Sequence, residues 1–121
     1  MAHTQTVGRM GEDAAAAYLV KLKYRIIERN HLKPWGEIDI VAKAKDGTLV
    51  FIEVKTMAGE SGAGLRPEDN MTGAKIMKTK RAALAYANAH PEIVGEKGWR
   101  IDVLAVRLER KPDGIRHYEN I

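Results

Sequence analysis

Residues 36–56 read GEIDIVAKAKDGTLVFIEVKT and predict two strands on either side of a turn. Asp46-Gly47 is a strong hairpin signal, because both residue types tolerate the positive φ angles of tight hairpin turns. We predict the first strand over 37–44, with Ile38, Ile40 and Ala42 on one face. The second strand is predicted over 48–56 and is apolar on both faces. A strand of that kind is covered on both sides, which indicates helices on either side of a sheet.

The other elements extend outward from this hairpin. A helix is predicted over 7–23, a short strand over 25–29, a second helix over 73–90, a strand over 99–109 and an edge strand over 115–119. The apolar positions at helical spacing are Val7, Met10, Ala14, Ala17 and Tyr18 in the first helix, and Ile76, Ala83, Leu84 and Ala87 in the second. The order is therefore α-β-β-β-α-β with one added edge strand. We expect residues 1–121 to form one α/β domain, with residues 1–5 and the Gly-rich loop 57–72 mobile.

Composition excludes several classes of protein. The 121 residues contain no cysteine, which rules out a disulfide scaffold, a thiol nucleophile and a thiolate zinc site. No apolar run approaches the roughly 18 residues of a membrane span, and the N-terminal stretch does not resemble a signal peptide. We therefore expect a cytoplasmic protein with no membrane association. The net charge of +4 suits a polyanionic partner without demanding one.

Three charged residues of the hairpin carry the chemistry. Glu53 and Lys55 are two positions apart, so they project from the same face of an otherwise apolar strand. Asp39 lies on the neighbouring strand. Ionised groups are costly to bury unless they are paired or bind a metal, and two carboxylates are ligands that Mg²⁺ accepts. The alternative is a simple ion pair between Glu53 and Lys55, with Asp39 as a strand-end acid.

The register of the hairpin decides whether Asp39 can join this cluster. A two-residue Asp46-Gly47 turn would pair Asp39 with Val54 and direct it away from Glu53, because directly paired residues share a face. A shared site requires a shift of one residue. We therefore predict a three-residue loop, a bulge or a bend at Asp39.

The fuller pattern resembles a known family. Its motifs are Gly8-x-x-x-Glu12, Asn30, Gly36-Glu-Ile-Asp39, Phe51-Ile-Glu53-Val-Lys55-Thr56, Thr72-x-x-Lys75 and Arg100-Ile-Asp102-Val103. Together with the element order they resemble the YraN-like predicted endonucleases of the PD-(D/E)XK superfamily. The same core is similar to archaeal Holliday junction resolvases. The resemblance implies a restriction-endonuclease-like fold, a central mixed sheet flanked by helices.

The resemblance also implies roles for individual residues. Asp39 and Glu53 would be metal ligands, Lys55 the catalytic lysine and the Val54 carbonyl a further ligand for Mg²⁺ or Mn²⁺. Glu12 matches an acid that resolvase-like members place on the first helix, where it completes the metal site, although a first-turn acid favoured by the helix dipole is an equal alternative. We interpret Glu37 as a solvated strand-end carboxylate. Met57 stands where family members often carry Arg, which removes one phosphate contact.

Four cations lie within seven residues of the second predicted helix: Lys75, Lys78, Lys80 and Arg81. Positions 75, 78 and 81 are neighbours on a helix surface, so Lys75, Lys78 and Arg81 are the candidate contacts to phosphates. A solvated helix face is the alternative. The four histidines show no metal-ligand spacing, and core or loop packing is favoured over base stacking for Trp35 and Trp99.

These observations favour a metal-dependent endonuclease that hydrolyses phosphodiester bonds of nucleic acid. DNA is the expected substrate, with branched DNA as one candidate. Cutting both strands needs two active sites, which makes a homodimer plausible. The alternatives are a catalytically inactive nucleic-acid-binding module with a nuclease fold, and an assembly subunit with no nucleic-acid partner.

Overall fold

The computed structural model describes residues 7–34, 36–57, 73–108 and 114–121. Along the chain these form α1 (Val7–Lys21), β1 (Arg25–Lys33), β2 (Gly36–Lys43), β3 (Leu49–Met57), α2 (Gly73–Ala89), β4 (Trp99–Arg107) and β5 (Ile115–Tyr118). The predicted order of elements is confirmed. β1 runs four residues further than predicted, and Met57 ends β3 instead of beginning the loop. The predicted mobility of residues 1–5 and 58–72 lies outside the described residues.

The strands form one five-stranded sheet in the order β1-β2-β3-β4-β5. β3 and β4 are parallel, and the other three pairs are antiparallel. A parallel pair needs a long crossover connection, and α2 lies in the connection between β3 and β4. The result is a mixed α/β sheet flanked by helices, which is the predicted architecture. Within the described residues no helix has the length and apolar character to cross a membrane.

The core has one layer on each side of the sheet. On the α2 side the buried residues include Phe51, Tyr86 and Ile101. On the α1 side they include Leu19 and Ile52. Consecutive residues of β3 therefore enter opposite layers, and the prediction that this strand is covered on both faces is confirmed.

The predicted buried face of α1 is wrong by one position. Its buried residues are Gly11, Ala15 and Leu19, whereas Val7 and Met10 are 43% and 41% exposed. The cause is a close approach between α1 and β3, because a Cβ atom at Gly11 would overlap the Thr56 side chain. A glycine carries no apolar signal, so a search for apolar residues selected the neighbouring stripe.

The predicted face of α2 needs one correction. Leu84 is 50% exposed, whereas Ala82, Ala83, Tyr86 and Ala87 are buried. The helix therefore packs through alanines and one aromatic ring. Small residues let its axis come close to the sheet, and this leaves Leu84 outside the contact.

β2 turns over at Asp39. Ile38 packs in the α2-side layer, while Ile40 and Ala42 pack in the α1-side layer. Residues two apart in a regular strand share a face, so the strand twists sharply between Ile38 and Ile40. The prediction that Ile38 shares a face with Ile40 and Ala42 is therefore wrong. The twist lies at the carboxylate that the sequence singled out.

Candidate active site

The hairpin between β2 and β3 has a three-residue loop. Gly47 N–H donates to the Ala44 carbonyl, and Ala44 N–H donates to the Thr48 carbonyl, both at 2.9 Å. Gly47 adopts a φ of 98°, which only glycine takes without strain. Asp46 Oδ1 accepts from the backbone N–H and the hydroxyl of Thr48 at 2.9 and 2.8 Å. The predicted departure from a two-residue turn is confirmed.

This loop sets the register that a shared cluster requires. The ladder pairs Lys43 with Leu49 and continues to Ile40 with Ile52. The next position in this register sets Asp39 against Glu53. There the regular pairing gives way to a side-chain bond, in which Val54 N–H donates to Asp39 Oδ2 at 2.8 Å.

Asp39 is the most strongly perturbed acid of the cluster. It is 8% exposed. Burial, followed by the charge of Glu53, raises the pKa of Asp39 to about 7, against the lowering effect of the Val54 hydrogen bond. The carboxylates of Glu12 and Glu37 raise it further. The charges of three further acids, from β3, α1 and β2 itself, therefore act on Asp39.

Glu53 and Lys55 form an ion pair on the same face of β3. Lys55 Nζ lies 3.4 Å from Glu53 Oε2, and both side chains are more than three-quarters buried. The prediction that they project together is confirmed. Pairing offsets the cost of placing a carboxylate and an ammonium at the edge of the core, where each alone would be unfavourable.

Glu12 reaches the cluster from the second turn of α1. The helix begins at Val7, and its first turn contains no acid. The helix-dipole explanation of Glu12 therefore does not apply. Burial, as the largest cause, and the charge of Glu37 raise the pKa of Glu12, while Arg29, whose Nη2 lies 3.8 Å from the carboxylate, lowers it.

α2 supplies the positive wall of a cleft of about 170 Å³ over these acids. Its lining residues are Gly36, Glu37, Asp39, Glu53, Lys75, Lys78 and Thr79. Lys75 approaches Lys55 so closely that the proximity of the two ammonium groups, both of them donors, lowers the pKa of Lys75. Lys80 and Arg81 are exposed and are not among the lining residues. The predicted basic stripe is thus divided, with two of its four members at the cleft.

The donor set fits a hydrated Mg²⁺ better than a metal enclosed by protein. Across the described segments of the chain, no group of three or more His, Cys, Asp or Glu side chains is arranged to hold a metal ion unaided. Mg²⁺ commonly keeps several waters and uses one or two carboxylates. Asp39 and Glu53 meet that requirement, and the raised pKa of Asp39 marks a point where a cation would relieve repulsion.

Sequence reasoning missed two features. Glu37 is exposed, as predicted, but it lines the cleft and acts on Asp39 and Glu12. The second feature is a buried polar cluster around Asp102, which is 0% exposed. Its carboxylate lies 2.7 Å from His117 Nε2 and accepts from Arg100 Nε at 3.0 Å and the Asn120 N–H at 2.9 Å.

The Asp102 cluster joins the C-terminal strand to β4 and, through Tyr18, to α1. The Tyr18 hydroxyl lies 3.2 Å from His117 Nδ1. The sequence signal was an acid in an apolar strand, the same signal that identified Glu53. Of the tryptophans, Trp99 packs edge-on against Phe51 at 5.5 Å, which confirms the packing interpretation, and Trp35 lies outside the described residues.

The family model of the uncharacterised protein family UPF0102 matches residues 11–106. A UPF0102 protein of Corynebacterium efficiens is 34% identical over 97% of this chain and 92% of its own. A second, of Geobacter sulfurreducens, is 42% identical over 98% of this chain and 89% of its own. Among solved structures, that named "Structure of EndoMS-dsDNA2 complex" is similar at a TM-score of 0.37 and 13% identity, over 88% of this chain and 37% of that one. A similarity of this extent supports no functional statement.

Proposed function

For this chain, which belongs to the uncharacterised protein family UPF0102, we propose metal-dependent hydrolysis of phosphodiester bonds in nucleic acid, with DNA as the substrate. The observation that carries the proposal is the convergence of Asp39, Glu53 and Lys55 beneath a cleft with a basic wall. A cleft with acids on one side and lysines on the other suits a phosphate group that is bound through a cation. The motif resemblance to PD-(D/E)XK nucleases supports the same reaction.

Each residue has a role in this proposal. Asp39 and Glu53 would hold Mg²⁺ or Mn²⁺, with the Val54 carbonyl as a further ligand. When bound, the metal lowers the pKa of a coordinated water and neutralises charge on the phosphate. Lys55 orients the attacking water and stabilises the negative charge that develops on the phosphate. Glu12 would hold a water of the hydrated metal.

The substrate's phosphates would lie along α2. Lys75 and Lys78 line the cleft and would bind the phosphate to be cut, while Arg81 would contact a flanking phosphate. One cleft per chain cuts one strand. We therefore include a homodimer in the proposal for cleavage of both strands, and the similarity to Holliday junction resolvases stays a prediction.

A second candidate is a nucleic-acid-binding module without turnover. It is favoured by the ion pair between Lys55 and Glu53, which occupies both groups, and by the lack of a three-ligand metal cage in the described residues. The two candidates agree on binding and differ on cleavage.

The test incubates the purified protein with linear duplex, single-stranded, flapped and four-way DNA in the presence of Mg²⁺ or Mn²⁺. We expect cleavage of at least one substrate, which chelator and Glu53→Gln abolish. Glu96→Gln, a change at an exposed acid in the loop after α2, is the matched control and should cleave normally. Binding without cleavage under all metal conditions would establish the binding module in place of the nuclease.

A further inference from the structure

A second cleft, of about 240 Å³, lies beside the first between β1 and α2. Its lining residues are Glu28, His31, Lys33, Gly36, Ala82, Ala85, Tyr86, Ala89 and His90. Gly36 lines both clefts, so they are adjacent. The backbone of Gly36 lies close to α2, since a Cβ atom added at this glycine would lie 3.3 Å from the Ala82 Cβ.

The polar group of this second cleft is the Glu28 carboxylate, which is held from two sides. Its Oε2 lies 2.8 Å from His31 Nδ1, and its Oε1 accepts from the Tyr86 hydroxyl at 3.0 Å. Hydrogen bonding to His31 is the largest cause that lowers the pKa of Glu28. The side chain is nevertheless 40% exposed. Each carboxylate oxygen has two lone pairs, so an oriented acceptor with remaining capacity faces the cleft.

Aromatic rings and methyl groups form much of the wall of this cleft. The His31 ring lies edge-on to Tyr86 at 4.8 Å, and His90 stacks on Tyr86 at 4.3 Å. Three alanines of α2 and Lys33 of β1 also line the cleft. The volume is below the roughly 300 Å³ of pockets for drug-sized ligands, which suits a single planar ring system.

We propose that this second cleft binds one unpaired guanine base next to the phosphate held in the first cleft. Guanine presents two adjacent donors, N1–H and N2–H₂, on its Watson–Crick edge, and an ionised carboxylate accepts two parallel bonds. Adenine places an acceptor beside its donor on that edge, so it would set a lone pair against the carboxylate. The edge is free only where the base is unpaired, and proteins read unpaired bases there.

This inference rests on the proposed function only for the placement of the guanine beside the scissile phosphate. It adds that the substrate strand is locally single-stranded and that its sequence is read at one position. The alternative is that Glu28, His31 and Tyr86 form a polar network that only ties β1 to α2.

The first experiment measures binding of dGMP, dIMP and dAMP to the full chain in chelator by isothermal titration. Inosine keeps N1–H but lacks the N2 amino group. We expect dGMP to bind at least about tenfold tighter than dAMP and measurably tighter than dIMP. Equal affinities, or no binding of any nucleotide, would overturn the inference without bearing on cleavage.

The matched variants are Glu28→Gln and Glu96→Gln. The amide oxygen of the introduced glutamine can still accept from the Tyr86 hydroxyl, so Glu28→Gln keeps the fold contact but replaces one acceptor by a donor. We expect it to remove the preference for dGMP while thermal unfolding stays near that of the wild type, and Glu96→Gln to keep the preference. If the folded Glu28→Gln protein still prefers dGMP, the Glu28 carboxylate does not read the base, and its role is only to tie β1 to α2 through the polar network.

The second experiment separates a free nucleotide from a base in a strand. The Glu53→Gln protein is titrated with single-stranded oligonucleotides that carry one guanine, inosine or adenine in an otherwise fixed sequence. A preference for the oligonucleotide that carries guanine supports the proposal. A preference for free dGMP without a preference among the oligonucleotides would refute the claim that the cleft binds a base within a strand. A guanine preference without cleavage by the wild type would refute the nuclease and leave the base site standing.

Discussion

Replacing Asp39 by Asn should stabilise the metal-free protein at alkaline pH. The pKa of Asp39 is raised from 3.8 to about 7, chiefly by burial. Ionisation of this carboxylate in the folded state is therefore unfavourable. The introduced asparagine resembles the protonated acid and can still accept from the Val54 N–H, so the variant loses the unfavourable charge and retains the bond.

The sign follows from proton linkage. A group whose folded-state pKa lies above its unfolded value contributes stability at low pH, which is lost as pH rises through the folded pKa. For Asp39 the loss runs from about pH 4 to about pH 7. A pKa difference of about three between the folded and unfolded states corresponds to about 4 kcal/mol at most. The charges of Glu53 and Glu12 also contribute to this raised pKa. We therefore expect Asp39→Asn to raise the free energy of unfolding by about 2–4 kcal/mol above pH 7.

Urea unfolding in chelator, at about pH 8 and about pH 4.5, measures this effect. Asp39→Asn should be more stable than the wild type at the higher pH, and the difference should be much smaller at the lower pH. Mg²⁺ at about 100 times its Kd should narrow this difference at the higher pH, because it stabilises the wild type by about 2.7 kcal/mol and the variant lacks a ligand. A variant that is less stable than the wild type in chelator at both pH values would refute the reasoning.

Three further predictions concern the cleft and the core. Lys75→Ala and Lys78→Ala should each weaken DNA binding for every sequence and lower the slope of log K against log salt by about one unit, and unchanged slopes would favour a solvated helix face. Gly11→Ala should lower the free energy of unfolding in urea by about 1–3 kcal/mol, because the introduced Cβ would overlap the Thr56 side chain. The loss should be smaller in a Thr56→Gly background, and an equal loss there would contradict this cause. Asp102→Ala should destabilise by about 3–5 kcal/mol, because it leaves a guanidinium without its buried partner, and a loss below about 1 kcal/mol would show that the pair is dispensable.

Most of the fold was predictable from local signals. Apolar periodicity and turn residues predicted the order of the seven elements that the described residues form, because each of these signals depends on a few neighbouring residues. The register of the hairpin needed one further argument. The Asp46-Gly47 pair by itself favoured a two-residue turn. Only the requirement that Asp39 and Glu53 share a site indicated a three-residue loop, a bulge or a bend, and the structure has the three-residue loop.

The failures have a common cause, which is contact between elements far apart in the chain. The buried face of α1 was missed because a glycine gives no apolar signal. Gly11 is buried because it has no side chain to keep the helix away from Thr56 of β3, and this contact cannot be read from the helix alone. Ile38 was assigned to the wrong face because the alternation of β2 breaks at Asp39, so that Ile38 and Ile40 enter different layers of the core.

The candidate site divides in the same way. The sequence by itself identified Asp39, Glu53 and Lys55, because charges within apolar strands require a reason. Only the tertiary structure brought Lys75 of α2 against Lys55, and Tyr86 to Glu28 across 58 residues of chain. The alternation of residues along a strand predicts which side chains lie on the same face. Which helix lies opposite that face across the cleft depends on how the helices pack on the sheet. That packing depends on the sum of many small contacts, and no short stretch of sequence contains it.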